Sequence, residues 1–146
     1  MIVRLLDRSL VVRPCATRDV ARVLAFWKTY AGPTAIEVQT TQAVRKRLQR
    51  DRQLFLLAWD GPVLVGSIMG GWDGWRGSIA RIAVHRDYRR AGLARLLVKH
   101  VEKELRRLGA KRIGCVVFRN NTPARAFWEN AGYSFDSAVV RHVKNL

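Results

Sequence analysis

The chain has 146 residues, 49% apolar and 26% charged, with 27 Lys and Arg against 11 acids for a formal net charge of +16. Those proportions exclude a disordered or fibrous chain, and the length fits one domain over residues 1–146 with a sizeable core. No apolar run approaches a membrane span, so no membrane partner is expected, and the charge favours polyanions: a phosphorylated cofactor, nucleic acid or an acidic macromolecule.

Arg4, Asp7 and Arg8 interrupt the first ten residues, which leaves no signal-peptide core there. Ser9 to Arg13 alternates and reads as a first strand, ended by Pro14. Thr17 is placed to cap a helix carrying Val20, Val23, Leu24 and Trp27 at helical spacing. Ala31-Gly32-Pro33-Thr34 breaks it. Thr40 or Thr41 caps a second, strongly basic helix ending near Arg50, whose segment Arg45 to Arg52 reads as a solvated face. Leu54 to Trp59 is a buried-strand pattern, Asp60-Gly61-Pro62 a turn, and Val63 to Gly70 the next strand.

Gly71 to Gly77 is a hairpin connection with Asp73-Gly74 as its tight turn, and Ser78 to His85 returns as a strand. Trp72 and Trp75 flank that tip, as packing or as walls of an acceptor site. Leu93, Leu96, Leu97, Val101, Leu105 and Leu108 then form one helical stripe closed by Gly109. Ile113 to Phe118 is another apolar strand. Thr122-Pro123 opens a short helix that stops at Ala131-Gly132, and Tyr133 to Val143 is a final strand. The fold class is α/β, with a mixed, mostly antiparallel sheet of six to seven strands and about four flanking helices. The strand–helix–strand unit from Ile79 to Phe118 requires a parallel pair.

Chemistry concentrates where the strand ending at His85 meets the helix that carries the Leu93 stripe. Arg89-Arg90-Ala91-Gly92-Leu93-Ala94 fits Gln/Arg-x-x-Gly-x-Gly/Ala, a string that arises by chance about 0.3 times in such a chain. Its context is the signal. Helix N-terminal amides lack intrahelical partners, the helix dipole is positive there, and Gly92 and Ala94 let a phosphate reach the main chain. Cys15 and Cys115 are far apart and in no metal-ligand spacing, so two reduced thiols, no metal and a cytoplasmic location are expected. No Gly-Lys-Ser/Thr loop and no Gly-x-Gly-x-x-Gly is present.

About 30 residues on stands Asn121-Thr122-Pro123-Ala124-Arg125-Ala126-Phe127-Trp128-Glu129-Asn130-Ala131-Gly132-Tyr133. With the basic loop it resembles the GNAT (GCN5-related) acyl-CoA-dependent N-acetyltransferase superfamily over nearly the whole chain. Leu54 to Ala58, Val65 to Ser78 and the ending from Ala131-Gly132-Tyr133 resemble the small bacterial YpeA-like acetyltransferases. The resemblance implies acetyl-CoA as co-substrate, its pantetheine arm along Ile82, Ala83 and Val84. Its pyrophosphate would sit over Arg89, Arg90, Ala91, Gly92, Leu93, Ala94 and Arg95. Asn121, Ala124, Phe127 and Trp128 would line its other side, and the strands on either side of the long helix would splay to admit the thioester.

Two positions depart from the family pattern. Trp128 stands where relatives often use a Tyr acid, and Val116 stands where some place a Glu base. An indole N–H is no usable acid near neutral pH. Tyr133, Asp73, Glu37 and His85 are the remaining proton-transfer candidates, beside proximity, a water-relayed proton and backbone oxyanion stabilisation at Val84. The implied activity is direct attack of a primary amine on the thioester. The 11 acids are scattered, which favours an acceptor bearing negative charge, or an amine on a protein or nucleoprotein surface, over a small polycation. The alternative is a basic nucleic-acid- or ribosome-associated binding protein keeping this fold with little catalysis; a homodimer fits either reading.

Overall fold

Six strands form one sheet in chain order, β1-β2-β3-β4-β5-β6, in a computed structural model that describes residues 1–32 and 40–146. β1 (Ile2–Leu5) and β2 (Arg8–Pro14) form a hairpin where the sequence predicts one strand, Ser9 to Arg13. Leu6 and Asp7 make its two-residue turn at φ +50° and +57°, without the Asn-Gly or Asp-Gly that normally announces such a turn. β3 (Phe55–Asp60), β4 (Val63–Trp72) and β5 (Gly77–Val84) continue antiparallel, and β6 (Ile113–Cys115) lies parallel to β5. The predicted parallel crossover is therefore present, carried by α3 (Leu93–Arg107).

α1 (Val20–Tyr30) follows one 3-10 turn at Thr17–Asp19. Thr17 lies inside that turn rather than capping it. The Asp19 carboxylate does the anchoring: it accepts the Ala16 N–H at 2.8 Å and takes both Arg13 terminal nitrogens, at 2.6 and 2.9 Å. That guanidinium holds the Asp19 carboxyl below its ordinary pKa. α1 ends where Ala31 turns extended; Pro33 and Thr34 of the predicted break lie outside the described residues. α2 (Thr41–Asp51) is capped as expected, the Thr40 hydroxyl accepting the Ala43 N–H at 3.1 Å.

α1 and α2 cover one face of the sheet, where Val23, Phe26, Trp27, Val44, Leu48, Phe55, Leu57 and Trp59 are buried together. Burying each such large side chain stabilises by about 1.5–3 kcal/mol. Trp27 stacks on Phe55 with centroids 5.7 Å apart. α3 seats on β4 through glycines. A Cβ on Gly70 would lie 2.6 Å from Val101 Cγ1, and one on Gly66 3.1 Å from Leu93 Cδ2. Its buried stripe is Leu93, Leu97, Val98, Val101 and Leu105. Leu96 is only half-buried, and Leu108, the C-cap past the last turn, is exposed.

Residues Met1–Cys115 form one compact unit and Val116–Leu146 a second. The second holds α4 (Thr122–Asn130), with Asn121 accepting the Ala124 N–H at 3.2 Å and Pro123 in the first turn. Gly132, at φ +91°, ends it. The expected final strand over Tyr133 to Val143 is not a strand. Asp136 Oδ1 accepts the Ala138 N–H at 3.2 Å, a local turn that competes with a ladder, and Val139, Val140 and Val143 are exposed. β6 also stops at Cys115, short of Phe118, leaving Val116 beyond the strand and exposed.

Candidate functional site

A bulge in β5 prepares its far end. Ser67 pairs with Ala83 and Met69 with Ala80, so Arg81 and Ile82 together face the single residue Ile68. Arg81 takes the left-handed conformation, φ +54°, which one type of bulge assigns to glycine. Parallel pairing with β6 covers Gly77, Ser78 and Ile79 and ends there, just before the bulge. Ile82, Ala83 and Val84 therefore lie beyond the β6-paired stretch, held on the β4 side by Gly66 and Ser67.

From Val84 the chain enters a one-turn 3-10 helix, Arg86–Tyr88, then the turn Arg89–Gly92. Tyr88 is buried and ties this loop to the sheet. Its hydroxyl donates to Asp60 Oδ2 and accepts from Arg8 at 2.6 Å, while Arg8 meets Asp60 at 2.7 Å. Burial and the Asp60 carboxylate push the Tyr88 phenol upward; bonds from Tyr88 and Arg8 pull Asp60 downward. Arg90 and Gly92 are both left-handed, φ +63° and +92°, which turns the chain sharply into α3. A Cβ on Gly92 would meet nothing within 4 Å, so the space beside this residue is open. No side chain caps it. The first-turn amides of α3, open space and exposed Arg89 and Arg90 make a donor set suited to a polyphosphate. Leu93 is buried and offers only its main chain, Ala91 and Ala94 are half-buried, and Arg95 is exposed. Arg89 Nε donates to the Val84 carbonyl at 3.1 Å, linking loop and strand end.

The proton-transfer candidates are not gathered here. His85 follows Val84, but its Nδ1 accepts the Asp87 N–H at 3.2 Å. A neutral ring in that role carries its proton on Nε2, so His85 serves as a cap between the rings of Tyr30 and Tyr88. Asp73 sits at the β4–β5 hairpin tip, the opposite end of the ladder from Val84. Its Oδ1 accepts from the Trp75 and Arg76 amides, which hold the carboxyl low. Glu37 lies outside the described residues. In the second unit Tyr133 packs edge-on against Trp128 at 4.7 Å, and its N–H donates to the Trp128 carbonyl at 2.9 Å. Trp128 is buried and meets Phe127 edge-on, while Asn121, Ala124 and Phe127 are half-buried along α4.

Several other features take defined places. Burial pushes the Cys15 thiol up to about 12 and Cys115 up to about 11, so neither is a thiolate near neutral pH. The basic helix is less solvated than expected: Arg47 donates to the Gly70 carbonyl and Arg50 to that of Trp72 at 2.9 Å. Trp75 is 85% exposed at the hairpin tip. Among the described residues, no cluster of His, Cys, Asp or Glu is placed to hold a metal ion, and no helix is long and apolar enough to cross a membrane. Trp27, Ser67 and Arg81, which contact one another beneath the bulge, and the Arg8–Asp60–Tyr88 anchor were missed in sequence. Only hydrophobic periodicity marked Trp27, and it marked a core residue.

Residues 23–133 match the model of the acetyltransferase (GNAT) family. An acetyltransferase of Sodalis glossinidius (strain morsitans) is 36% identical over 103 residues, 70% of this chain and 72% of that protein. The crystal structure of Ard1 from Thermoplasma volcanium shares the fold with a TM-score of 0.75 at 19% identity, covering 88% of this chain and 84% of that one. The structure of yncA from Salmonella typhimurium, solved with its cofactor acetyl-CoA, does so with a TM-score of 0.70 at 17% identity, covering 86% and 79%.

Proposed function

For a chain that belongs to the acetyltransferase (GNAT) family, as this one does, we propose transfer of an acetyl group from acetyl-CoA to a primary amine. One juxtaposition carries the reading: the β5 end at Ile82–Val84, beyond its pairing with β6, runs directly into an anion-ready loop and the uncapped start of α3. In this reading the Ile82–Val84 main chain binds the pantetheine arm. The amides of Gly92, Leu93 and Ala94, with Arg89, Arg90 and Arg95, hold the pyrophosphate. Asn121, Ala124, Phe127 and Trp128 are assigned to cofactor contact as part of the same proposal. The acetyl-CoA in the Salmonella neighbour supports the choice of ligand.

The transfer forms an N–C bond, breaks the C–S bond and releases the CoA thiol, while the amine gives up a proton. The chain's own contribution is positioning plus a main-chain N–H at Val84 for the oxyanion. Asp73 is tied into a distant turn and His85 caps its own loop, so in this reading neither takes the amine proton, which leaves Tyr133, Glu37 or a water relay to receive it. The acceptor proposed is an amine beside negative charge or on a protein surface. Calorimetric titration with acetyl-CoA tests the cofactor half, and absence of binding at millimolar ligand overturns it. A screen of amines tests the other half, and turnover of small polycations alone overturns the acceptor class.

A further inference from the structure

Ser67 has no exposed surface, takes no part in the anion loop, and pairs with Ala83 across β4 and β5. Its Oγ accepts the Trp27 Nε1–H at 2.9 Å and lies 3.2 Å from the Arg81 carbonyl. A hydroxyl has one proton to give. With the indole N–H taken by a lone pair, that proton goes to Arg81. Two residues opposite one put Arg81 at the break in the regular pairing, and the hydroxyl adds a side-chain bond to the main chain at that point. The Arg81 guanidinium also folds back over the Trp27 ring, 5.2 Å from its centroid. Trp27 itself is fixed by stacking on Phe55.

An arginine in the left-handed region is strained, and such a conformation persists only where its surroundings hold it. Removing the bulge would slip Ile82, Ala83 and Val84 by one position against β4, and main-chain groups alternate in direction along a strand. Donors and acceptors now turned away from β4 would exchange places. We infer that Trp27 and Ser67 are positioning residues for the acyl donor, holding the bulge that aims the main chain of Ile82–Val84. The inference rests on the acetyl-CoA reading above, through the assignment of that stretch to the pantetheine arm.

The test compares two ligands by calorimetry on the intact chain: acetyl-CoA, and 3′-phospho-ADP, the nucleotide part of CoA without pantetheine. Ser67→Ala should raise the Kd for acetyl-CoA about tenfold, the effect of one or two buried hydrogen bonds, and leave that for 3′-phospho-ADP unchanged. Trp27→Phe keeps an aromatic ring beside Phe55, removes the N–H together with part of the ring volume, and should weaken acetyl-CoA alone by a few-fold. It serves if Ser67→Ala does not fold. In the wild type the Trp27 indole N–H resonance should shift with acetyl-CoA and stay still with 3′-phospho-ADP. Equal weakening of both ligands, or an unchanged acetyl-CoA Kd in a folded variant, overturns the positioning role. A wild type that binds 3′-phospho-ADP but not acetyl-CoA instead removes the functional reading itself.

Discussion

The two ends of β5 are built on opposite principles. At Gly77–Ile79 the strand is paired on both sides, and a Cβ on Gly77 would lie 3.3 Å from Leu105, Ala110 and Ile113. At Ile82–Val84 the strand is bulged and runs past β6 into a loop of left-handed residues. One end serves the fold by leaving no room. The other presents main-chain groups that the sheet does not use up. A single left-handed arginine between them separates the two roles, so stability and ligand binding should respond to different substitutions.

The largest effect expected is at the packed end. Gly70→Val forces atoms onto Val101 and Leu54 and should cost about 3 kcal/mol, read as a fall in denaturant midpoint, while the acetyl-CoA Kd of the folded protein holds. Gly92→Val should do the reverse. It puts a β-branched residue at φ +92° and a side chain into the open space there, weakening acetyl-CoA by about tenfold or more for a stability loss of about 1–2 kcal/mol. If both variants lose stability and binding in proportion, the two ends are not separable.

Asp19 offers a reference remote from either end. Its folded carboxyl lies below its ordinary value because Arg13 hydrogen-bonds to it. Its contribution is therefore complete above about pH 4, the unfolded pKa, and fades as pH falls through the folded one. Asp19→Asn should cost about 2 kcal/mol at pH 7, with the gap to wild type closing below about pH 4. A gap constant down to pH 2 would contradict the ion-pair origin. Smallest is Tyr88→Phe, which unties the loop from Asp60 and Arg8 and should raise the acetyl-CoA Kd about threefold with little change in melting temperature.

The loop and its helix were legible in sequence because their signals are local: a glycine at a left-handed position, an apolar stripe, a strand before it. The bulge was not, because Arg81 occupies a conformation for which arginine gives no cue, and its supports come from β4 and α1. Trp27 and Ser67 are 40 residues apart in the chain and meet only in the fold. Leu6-Asp7 concealed a hairpin for the same reason as Arg81. The segment after Tyr133 misled in the opposite sense: its valines have strand character, but propensity alone does not make a ladder.

Arg47 and Arg50 reach from α2 to the carbonyls of Gly70 and Trp72, past the point where β3 pairs with β4 at Met69. Guanidinium groups there stand in for the next residues of a missing strand. Lysine at either position would preserve the charge near neutral pH and still spoil the strand end, since an ammonium on a flexible stem does not reproduce the reach and fixed donor geometry of a guanidinium. Homologues that keep the charge but exchange these two residues should fray at this corner first.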